Sequence, residues 1–406
     1  MKHAVVVTGI GLISPLGNQP EVVFDSLMQG QSGVRLLSSE QSNGVATAAG
    51  VVDFSPEPWF TRLQLSGVDR VSQMGVAAAD LALKDAGLAG EALMDAGIYI
   101  GCGMGGASAI ETAYTSHFSA KPRVSPLSVV ASMTNAPAAH IAMRFGIGGR
   151  VMTYSIACAS SSVAIGEGYR AIASGETDIV IAGGCEALLV PCVIRAWQAM
   201  QTLAMPSAEQ PETACRPFSL DRSGLVLGEG AAMLILERED HALARGVKIY
   251  ARVSGFGMSC DATHITRPEP TGQTRALHTA LRNADLRPAD IGYCNAHGTA
   301  TQVGDPAECA ALREVWGKDA DNLLVSSTKS MHGHLLGAAG ALEAAVTVLA
   351  VHHKQLPPTA HCNDPDPVCN IPLVRSTGIA SPHVKAAISN SFAFGGTNAV
   401  LVFTAA

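Results

Sequence analysis

Two stretches of small residues, one in each part of the chain, constrain the fold more than any other feature. Ser155–Ser174 and Thr328–Thr347 each run from a polar segment into a helix-compatible run rich in Ala and Gly. In both, reactive residue types stand where the helix would begin. Two similar halves, each burying one such helix between sheets, predict a five-layered αβαβα core. We expect residues 1–250 to form the first half and residues 251–406 the second.

Short β-branched runs alternate with helical stretches along the chain, and no Pro/Ser-rich linker divides it. This alternation is typical of an α/β protein with largely parallel sheets. The predicted strands are Ala4–Gly9, Gly97–Gly101, Asp178–Gly183, Ala231–Leu236, Ile249–Gly255, Ile291–Asn295, Leu323–Ser326, Ala386–Ser389 and Asn398–Phe403. The predicted helices include Val71–Ala86 and Gln273–Ala284.

The charge balance restricts the class of partner. Lys plus Arg number 27 and Asp plus Glu number 34, which gives a formal net charge of −7. Because phosphate binding needs a basic surface, this balance argues against nucleic acid as a partner. Charged residues make up only 15% of the chain and hydrophobic residues 48%. Such a low charged fraction predicts that further surface is buried between subunits, in a dimer or other oligomer.

The cysteines and the longest apolar run indicate the compartment. None of the ten cysteines lies in a CxxC pair, so the sequence lacks zinc and redox motifs. A first strand is predicted almost at the N-terminus, which leaves no room for a signal peptide, and scattered thiols are typical of a reducing cytosol. The apolar run His334–Val351 contains Glu343 and several glycines, so we interpret it as a buried helix of a soluble, cytoplasmic protein.

Cys158 is the candidate nucleophile. It lies in Ile156–Ser162, directly before a helix-compatible run. A thiol at a helix N-terminus feels the positive end of the helix dipole and unpaired N–H groups, and both lower its pKa. A buried structural cysteine is the alternative interpretation, since free Cys is among the most buried residue types.

Two histidines strengthen the nucleophile interpretation. His297 lies in Asn295–Thr301 just after one predicted strand, and His334 ends Lys329–His334 just after another. Parallel α/β sheets place their ligands at the C-terminal ends of strands. A thiol with two imidazole N–H donors suits carbon–carbon bond formation between thioesters, which must stabilise an enolate oxygen. The alternatives are ordinary core histidines or a metal site that includes His332; i, i+2 spacing without HExxH or a cysteine cluster disfavours the metal, and we predict none.

Charged residues near the histidines are candidate positioning groups. Lys329 and Glu343 flank His334, and Asp305 lies 305 − 297 = 8 residues after His297. Buried together, the three would form an ion network that orients both imidazoles. Separate surface charges are the alternative interpretation, although Glu343 lies in an otherwise apolar segment.

Two glycine-containing turns are candidate binding loops, and we keep only the first of them. Asn390–Asn398 precedes the last predicted strand, and its backbone N–H groups would complete an oxyanion hole with Phe394 as a movable gate. Gly101–Gly106 follows a strand and invites a dinucleotide-binding interpretation. Its spacing is GxGxGG and no acidic residue ends a second strand ~20 positions on, so we set that interpretation aside.

Together these segments resemble the elongating β-ketoacyl-[acyl-carrier-protein] synthases, types I and II, of the thiolase-like superfamily. The resemblance spans nearly the whole chain, and its specific parts are the Cys158 turn, Asn295–Thr299, Ser327–Gly340 and Phe394–Asn398. It implies a thiolase-like five-layered αβαβα fold made of two pseudo-duplicated halves. It also implies a decarboxylative Claisen condensation of an enzyme-bound acyl thioester with malonyl-acyl-carrier protein in fatty acid biosynthesis.

The resemblance further implies roles for the residues that match the family motifs. Cys158 would carry the acyl chain, and the backbone N–H groups of Cys158 and Phe394 would form the oxyanion hole. His297 and His334 would support decarboxylation and hold the enolate. Thiolases use a second cysteine near the C-terminus, and no C-terminal CxG motif appears in this sequence.

The remaining implied roles concern positioning and the substrate arm. Lys329, braced by Glu343 and Asp305, would set the geometry around the second histidine. Thr299 and Thr301 match positions that hydrogen-bond a phosphopantetheine arm. That arm would be delivered by an acyl-carrier protein, so no tightly bound cofactor is expected.

Some positions depart from the family pattern. Ala393 stands where most housekeeping members have Gly, and Met205 stands near a position that is usually basic. Arg62, Arg70 and Arg123 remain as candidate carrier-protein contacts, with an ordinary solvated charge as the alternative for each. These departures favour a specialised carrier protein.

Three alternatives stay open at this stage. One is a specialised type II polyketide or polyene ketosynthase that acts with a chain-length-factor-like partner subunit. The second is a non-catalytic scaffold or partner subunit, and the third is a thiol hydrolase.

Overall fold

The computed structural model describes residues 3–406. Its strands are β1 (Val5–Ile13), β2 (Val34–Leu36), β3 (Ala48–Gly50), β4 (Gly97–Gly101), β5 (Val151–Tyr154), β6 (Ile179–Glu186), β7 (Leu227–Gly228), β8 (Gly230–Arg238), β9 (Ala251–Cys260), β10 (Tyr293–Asn295), β11 (Leu324–Ser326), β12 (Gln355–Leu356), β13 (Ile379–Ala380), β14 (Ala386–Phe392) and β15 (Thr397–Thr404). Its helices are α1 (Pro20–Met28), α2 (Arg70–Asp85), α3 (Ala107–His117), α4 (Ser128–Ser132), α5 (Ala136–Phe145), α6 (Ser160–Ala173), α7 (Pro191–Ala199), α8 (Glu239–Arg245), α9 (Pro270–Ala284), α10 (Gly304–Trp316), α11 (Lys329–His332) and α12 (Ala339–His353).

Ten strands are hydrogen-bonded in the order β11-β10-β14-β15-β9-β1-β8-β6-β4-β5. The strands pair in the same pattern on both sides of the centre of this sheet. From the centre outward, two antiparallel pairs are followed by two parallel pairs, both in β1-β8-β6-β4-β5 and in β9-β15-β14-β10-β11. The two sets meet where Val5–Val7 of β1 pairs with β9. The chain therefore contains two topologically equivalent halves. The expectation of largely parallel sheets is wrong, because β8 and β15 each return antiparallel beside the first strand of their half, where no crossover is required.

The helices complete five layers. α2 and α5 cover the outer face of the first half, α9 and α10 cover that of the second, and α6 and α12 lie between the halves. Because α12 contacts β8 on one side and β14 on the other, it is enclosed, and all residues from Ala339 to Val351 are buried. A helix enclosed in this way is apolar on every face. The predicted αβαβα architecture is confirmed.

The two central helices approach closely at Gly340. A Cβ built on Gly340 would lie 2.1 Å from the hydroxyl oxygen of Ser162 in α6, so only glycine fits there. The Ser162 hydroxyl lies 2.8 Å from that of Ser391 in β14, which ties α6 to the second half. Leu336–His353 is long and apolar enough to cross a membrane, yet 89% of it is buried inside the protein. It is a core helix, as its glutamate and glycines predicted.

Some element ends differ from the prediction. α9 begins at Pro270, three residues before the predicted start at Gln273, because proline lacks only an N–H that the first helical turn does not use. The sequence pattern misses β5 altogether. This edge strand has four residues, Val151–Tyr154, and follows two glycines, so it is too short to show strand periodicity.

Candidate active site

Cys158 lies in a tight turn between β5 and α6. The turn places Ala157 in the left-handed region, with a φ of 43°. This conformation is strained for a residue with a Cβ and persists only where its surroundings hold it. Here Ser160 holds it, because its hydroxyl donates to the Ala157 carbonyl (2.7 Å) and accepts from the Ile156 N–H (2.8 Å). Cys158 is thereby fixed just before the first turn of α6, as predicted.

The Cys158 sulfur faces groups that come from the second half of the chain. It lies 2.9 Å from Nε2 of His334, and the backbone N–H groups of Phe394 and of Cys158 itself are near enough to favour its thiolate form. Burial nevertheless raises the pKa of the thiol to about 11, and the charge of Lys329 and the two N–H groups offset this only in part. The expectation of a lowered pKa is therefore wrong for the resting site, because desolvation outweighs the nearby positive charge and N–H groups. A neighbouring base has to accept the thiol proton.

Two imidazoles lie side by side next to the thiol. The ring centroids of His297 and His334 are 5.3 Å apart. Burial lowers the pKa of both rings well below 6.5, and the charge of Lys329 lowers it further. Both rings are therefore neutral at pH 7. The donor atoms of Cys158 and the two histidines lie within 4.8 Å of one another, a spacing that a metal ion would also accept if it found a fourth ligand.

The topology explains why these side chains meet. His297 follows β10 and His334 follows β11, and these two strands are parallel neighbours whose carboxyl ends share one edge of the sheet. The backbone of His334 is held by β7 and the residue before it, since its N–H donates to the Val226 carbonyl (2.6 Å) and its carbonyl accepts from the Gly228 N–H (2.9 Å). The predicted placement at strand ends is confirmed.

The positioning ion network contains two of its three predicted members. Lys329 and Glu343 are fully buried and form an ion pair. Burial raises the pKa of Glu343 to about 7, and the charge of Lys329 opposes that shift. Asp305 belongs to another cluster: it accepts from the Phe218 N–H (2.8 Å) and lies 3.9 Å from Nε of Arg222. It stands in the first turn of α10, which directs it there, so bracing of Lys329 by Asp305 is a wrong expectation.

A buried carboxylate that sequence reasoning missed holds the His297 segment. Glu308 accepts the N–H groups of His297 (2.9 Å) and Gly298 (2.8 Å) and the side-chain amide of Asn390 (3.0 Å). These bonds hold the turn at Gly298, whose φ is 27°. The available signal was one acidic residue in the otherwise apolar run 307–312.

A second missed carboxylate, Glu186, joins the two halves below the site. It accepts the backbone N–H groups of Gly103 (2.9 Å), Met104 (3.1 Å) and Gly337 (3.0 Å). Burial raises its pKa to about 7, and the three donors oppose that shift. Glu186 thus accepts backbone N–H bonds both from the GxGxGG turn and from the segment that follows His334, and these bonds hold the two segments together.

The Phe394 loop closes one side of a cavity of about 370 Å³ that reaches Cys158. Gly395 and Gly396 have φ values of 87° and 76°, and the Gly395 N–H donates to the Ile265 carbonyl (2.7 Å) on the opposite loop. The ring of Phe394 stacks on Trp197, with centroids 6.0 Å apart. The loop therefore presents the Phe394 N–H inward and its ring toward the cavity mouth.

The predicted substrate-arm residues line the same cavity. The hydroxyls of Thr299 and Thr301 lie 3.2 Å apart, and that of Thr301 also accepts the Gly304 N–H (3.1 Å). The left-handed backbone of Ala300, with a φ of 63°, turns both hydroxyl-bearing residues to the same wall. Asp305 lines the cavity as well.

The three arginines proposed as carrier-protein contacts differ in availability. Arg62 and Arg123 are exposed. Arg70 is partly exposed, with 34% of its side chain accessible, and it bonds to both oxygens of Glu229 (3.0 and 2.8 Å) and to the Val52 carbonyl (2.8 Å). The buried Glu229 carboxylate holds its guanidinium, so Arg70 is less available to a partner than Arg62 and Arg123.

Comparison with known proteins matches both halves. The family described as "Beta-ketoacyl synthase, N-terminal domain" covers residues 2–242, and "Beta-ketoacyl synthase, C-terminal domain" covers residues 250–363. Nodulation protein E of Rhizobium meliloti (strain 1021) is 40% identical over 408 residues, or 99% of each chain. 3-Oxoacyl-[acyl-carrier-protein] synthase 2 of Vibrio cholerae serotype O1 is 39% identical over 410 residues, again 99% of each. The solved ishigamide ketosynthase/chain length factor superposes with a TM-score of 0.93 at 33% identity over the full length of both chains.

The sequence match and the site geometry agree. Both halves match the β-ketoacyl synthase family, over residues 2–242 and 250–363, and the fold is that of the thiolase-like ketosynthases. The nucleophile and the two imidazoles of its chemistry lie within 4.8 Å of one another. The chain therefore belongs to the β-ketoacyl synthase family of acyltransferases and carries a Cys-His-His active site.

Proposed function

We propose that the protein is a 3-oxoacyl-[acyl-carrier-protein] synthase that condenses an enzyme-bound acyl group with malonyl-acyl-carrier protein in fatty acid biosynthesis. One observation carries this proposal: a thiol, two neutral imidazoles and two backbone N–H donors converge at the inner end of a single cavity. The reaction needs a nucleophile, a base, an oxyanion hole and an enolate stabiliser. Each of these has a group here.

Acyl transfer comes first. The Cys158 sulfur attacks the carbonyl carbon of the acyl thioester while its proton passes to Nε2 of His334, 2.9 Å away. The N–H groups of Cys158 and Phe394 stabilise the oxyanion. When the intermediate collapses, the bond to the carrier sulfur breaks, and that thiolate takes the proton from His334. Cys158 then holds the acyl chain and the ring is neutral again.

Decarboxylation and condensation follow when malonyl-carrier protein replaces the free carrier. The bond from the malonyl carboxylate carbon to Cα breaks, CO2 leaves, and the electron pair becomes an enolate. Its oxygen accepts an N–H bond from His297 and one from His334, after the neutral His334 ring has exchanged its proton with solvent so that Nε2 carries it. The enolate carbon then attacks the acyl carbonyl, and the bond to Cys158 breaks. The Cys158 thiolate takes the proton from Nε2 of His334, Nδ1 of that ring takes one from solvent, and the carrier retains a 3-oxoacyl chain two carbons longer.

The same proposal assigns the remaining groups. Thr299 and Thr301 bind the phosphopantetheine arm that the carrier delivers, so the reaction needs no resident cofactor. Lys329 and Glu343 keep both imidazoles neutral and oriented, and Arg62 and Arg123 contact the carrier protein. Support comes from the cavity lining, the buried ion pair and the exposure of both arginines.

Mass spectrometry after incubation with acyl-carrier protein tests the proposal. We expect an acyl adduct on Cys158, a 3-oxoacyl product once malonyl-carrier protein is added, and neither with Cys158→Ala. Replacing His334 by Ala should abolish malonyl decarboxylation and slow acylation without preventing it. No adduct under saturating donor would support a scaffold, and release of free acid alone would support a thiol hydrolase; either would refute the proposal.

The second candidate is a specialised polyketide or polyene ketosynthase that works with a chain-length-factor-like partner. The likeness to the ishigamide ketosynthase/chain length factor favours it. So does an exposed apolar surface on α3 and α4, which includes Tyr114 (63% exposed), Val129 (64%) and Val130 (51%). A condensation assay across short to long acyl donors, with the oligomeric state measured alone and with a co-produced partner, separates the two.

We further propose that the working form is a dimer in the cytoplasm. Within each chain, residues 1–250 and residues 251–406 form two pseudo-duplicated halves. The equivalent strand orders support this division, with Cys158 in the first half and both histidines in the second. Sedimentation of the purified chain tests the dimer.

A further inference from the structure

Arg222 is a buried cation that the proposed mechanism does not use. It lies in the segment between α7 and β7, and its side chain is only 2% exposed. An isolated buried charge is strongly destabilising, so a guanidinium in this position has to be paired and hydrogen-bonded by its surroundings.

The guanidinium bonds to three separate segments of the chain. Nη1 donates to the Ser219 carbonyl (2.9 Å) and to the Asp366 carboxylate (2.6 Å). Nε donates to the Thr301 carbonyl (3.1 Å), and Nη2 donates to the Gln302 carbonyl (3.3 Å). In return, the side-chain amide of Gln302 donates to the Arg222 carbonyl. These bonds occupy most of the fixed fork of donors that distinguishes Arg from Lys.

One of those segments, which contains Thr301 and Gln302, lines the active-site cavity, and so do Ser223–Leu225, which directly follow Arg222 in the chain. We call these parts of the lining the Thr299–Thr301 wall and the Ser223–Leu225 wall. The Thr299–Thr301 wall is strained, because Ala300 has a φ of 63° immediately before Thr301. Strain of this kind persists only where neighbouring groups over-determine the backbone. The two carbonyl bonds from Arg222 are such a restraint.

The charges around Arg222 are balanced in the same place. Asp366 forms the close ion pair, and Asp305 lies 3.9 Å from Nε. Asp305 in turn accepts from the Phe218 N–H (2.8 Å). The buried Asp305, which we expected beside the catalytic lysine, therefore works with Arg222 at the cavity wall.

We infer that Arg222 is a positioning residue that holds the Thr299–Thr301 wall against the Ser223–Leu225 wall at the separation that a phosphopantetheine arm requires. The inference rests on the proposed function, since it assumes that this cavity receives such an arm. Arg222 touches no reacting atom. Its loss should therefore weaken arm binding equally in the ground state and the transition state, which raises KM and leaves kcat unchanged.

The test compares Arg222→Lys and Arg222→Met with the wild-type enzyme at saturating acyl donor. With malonyl-pantetheine as the varied substrate, we expect KM to rise about tenfold for Arg222→Met and less for Arg222→Lys, with kcat within about twofold. With malonyl-N-acetylcysteamine, which lacks the outer part of the arm, KM should change by less than about twofold. Binding of pantetheine itself to the resting enzyme, measured by calorimetry, should weaken by the same factor as the first KM.

Arg245→Met is the matched control. Arg245 also bonds to a carboxylate, that of Glu237 (2.8 Å), and to a backbone carbonyl, that of Ala86 (2.6 Å), but it does not line the cavity. Its variant should lose stability without a change in either KM. If the Arg222 variants lower kcat at constant KM, or raise both KM values alike, the inference is wrong. If the wild-type enzyme forms no 3-oxoacyl product, the proposed function fails, and pantetheine binding still decides the role of Arg222.

Discussion

At the scale of single residues, one proton decides how the Cys158 site works. With a thiol pKa of about 11, only roughly one Cys158 in ten thousand is ionised at pH 7. The adjacent His334 is neutral and can accept the proton. The Cys158 thiol is therefore activated by a proton transfer that accompanies its attack on the thioester, and the resting site does not hold a thiolate. Such a site reacts slowly with electrophiles that form no oxyanion when the sulfur attacks, because the Phe394 N–H then has no developing charge to stabilise.

The pH dependence of alkylation tests this view. Because the raised pKa keeps the folded thiol protonated, the rate of Cys158 carboxamidomethylation by iodoacetamide should rise about tenfold per pH unit from pH 7 to 10. The exposed Cys192 provides the comparison in the same sample, because it reports access of the reagent to a surface thiol. Peptide mass spectrometry resolves the two sites in one sample. A plateau for Cys158 below pH 8 would show that a thiolate–imidazolium pair exists at rest.

Glu308→Gln should separate the two half-reactions. The amide can accept only one of the two N–H bonds that the carboxylate accepts from His297 and Gly298, and one buried donor is left unpaired. An unpaired buried donor costs about 1–3 kcal/mol. We expect the activation free energy for decarboxylation of malonyl-carrier protein to rise by a similar amount, which slows this step about tenfold to a hundredfold. Acylation of Cys158, which uses His334, should change by less than about threefold. Equal loss in both steps would contradict a specific role for Glu308 at His297.

At the scale of elements, the Phe394 loop offers a paired test. A Cβ on Gly396 would meet Asp261 Cβ at 2.9 Å, whereas one on Gly395 has nothing within 4 Å, and both residues have positive φ. Gly396→Ala should displace the Phe394 N–H and lower kcat about tenfold or more, the scale of a damaged oxyanion hole. Gly395→Ala isolates the backbone strain alone and should lower kcat less. Steady-state condensation rates decide this, and equal effects would show that contact with Asp261 is unimportant.

Side chains that act at the end of a recognisable element could be predicted from sequence. Cys158 was predictable because a polar stretch before a small-residue helix marks a strand-to-helix turn, and His297 and His334 because each follows a strand. The cluster of Asp305 was not, because the direction of a side chain in the first turn of α10 depends on how that helix docks on Phe218. The pKa of Cys158 could not be predicted either, since it depends on burial and on groups at least 171 positions away, the nearest in sequence being Lys329 (329 − 158 = 171).

The same reasoning explains the features of the fold that were missed. Glu186 bonds only to backbone N–H groups of other segments, and Glu308 bonds to two backbone N–H groups and to the distant amide of Asn390, so neither set of partners leaves a sequence signal. The layers followed from the two Ala/Gly-rich stretches. The antiparallel strands β8 and β15 did not, because a strand buried on both faces has the same apolar pattern in either direction.

At the scale of the whole molecule, the contact between the central helices sets the stability. Gly340→Ala would place a methyl group 2.1 Å from the Ser162 hydroxyl oxygen and should lower the free energy of unfolding by about 1–3 kcal/mol through overpacking. Urea denaturation followed by circular dichroism measures this. The double variant with Ser162→Ala removes the clashing oxygen and should recover part of the loss. Additive losses would show that the two helices do not interfere at this point.

The duplicated topology has a consequence for the protein during its synthesis. The sulfur is contributed by residue 158, the imidazoles by residues 297 and 334, and the last oxyanion donor by Phe394. A polypeptide that stops before residue 297 therefore holds the thiol without either imidazole, even if its first half has folded. The chemistry becomes possible only after the second half has been made and has docked on the first, so a partly synthesised chain cannot waste the cell's activated acyl groups.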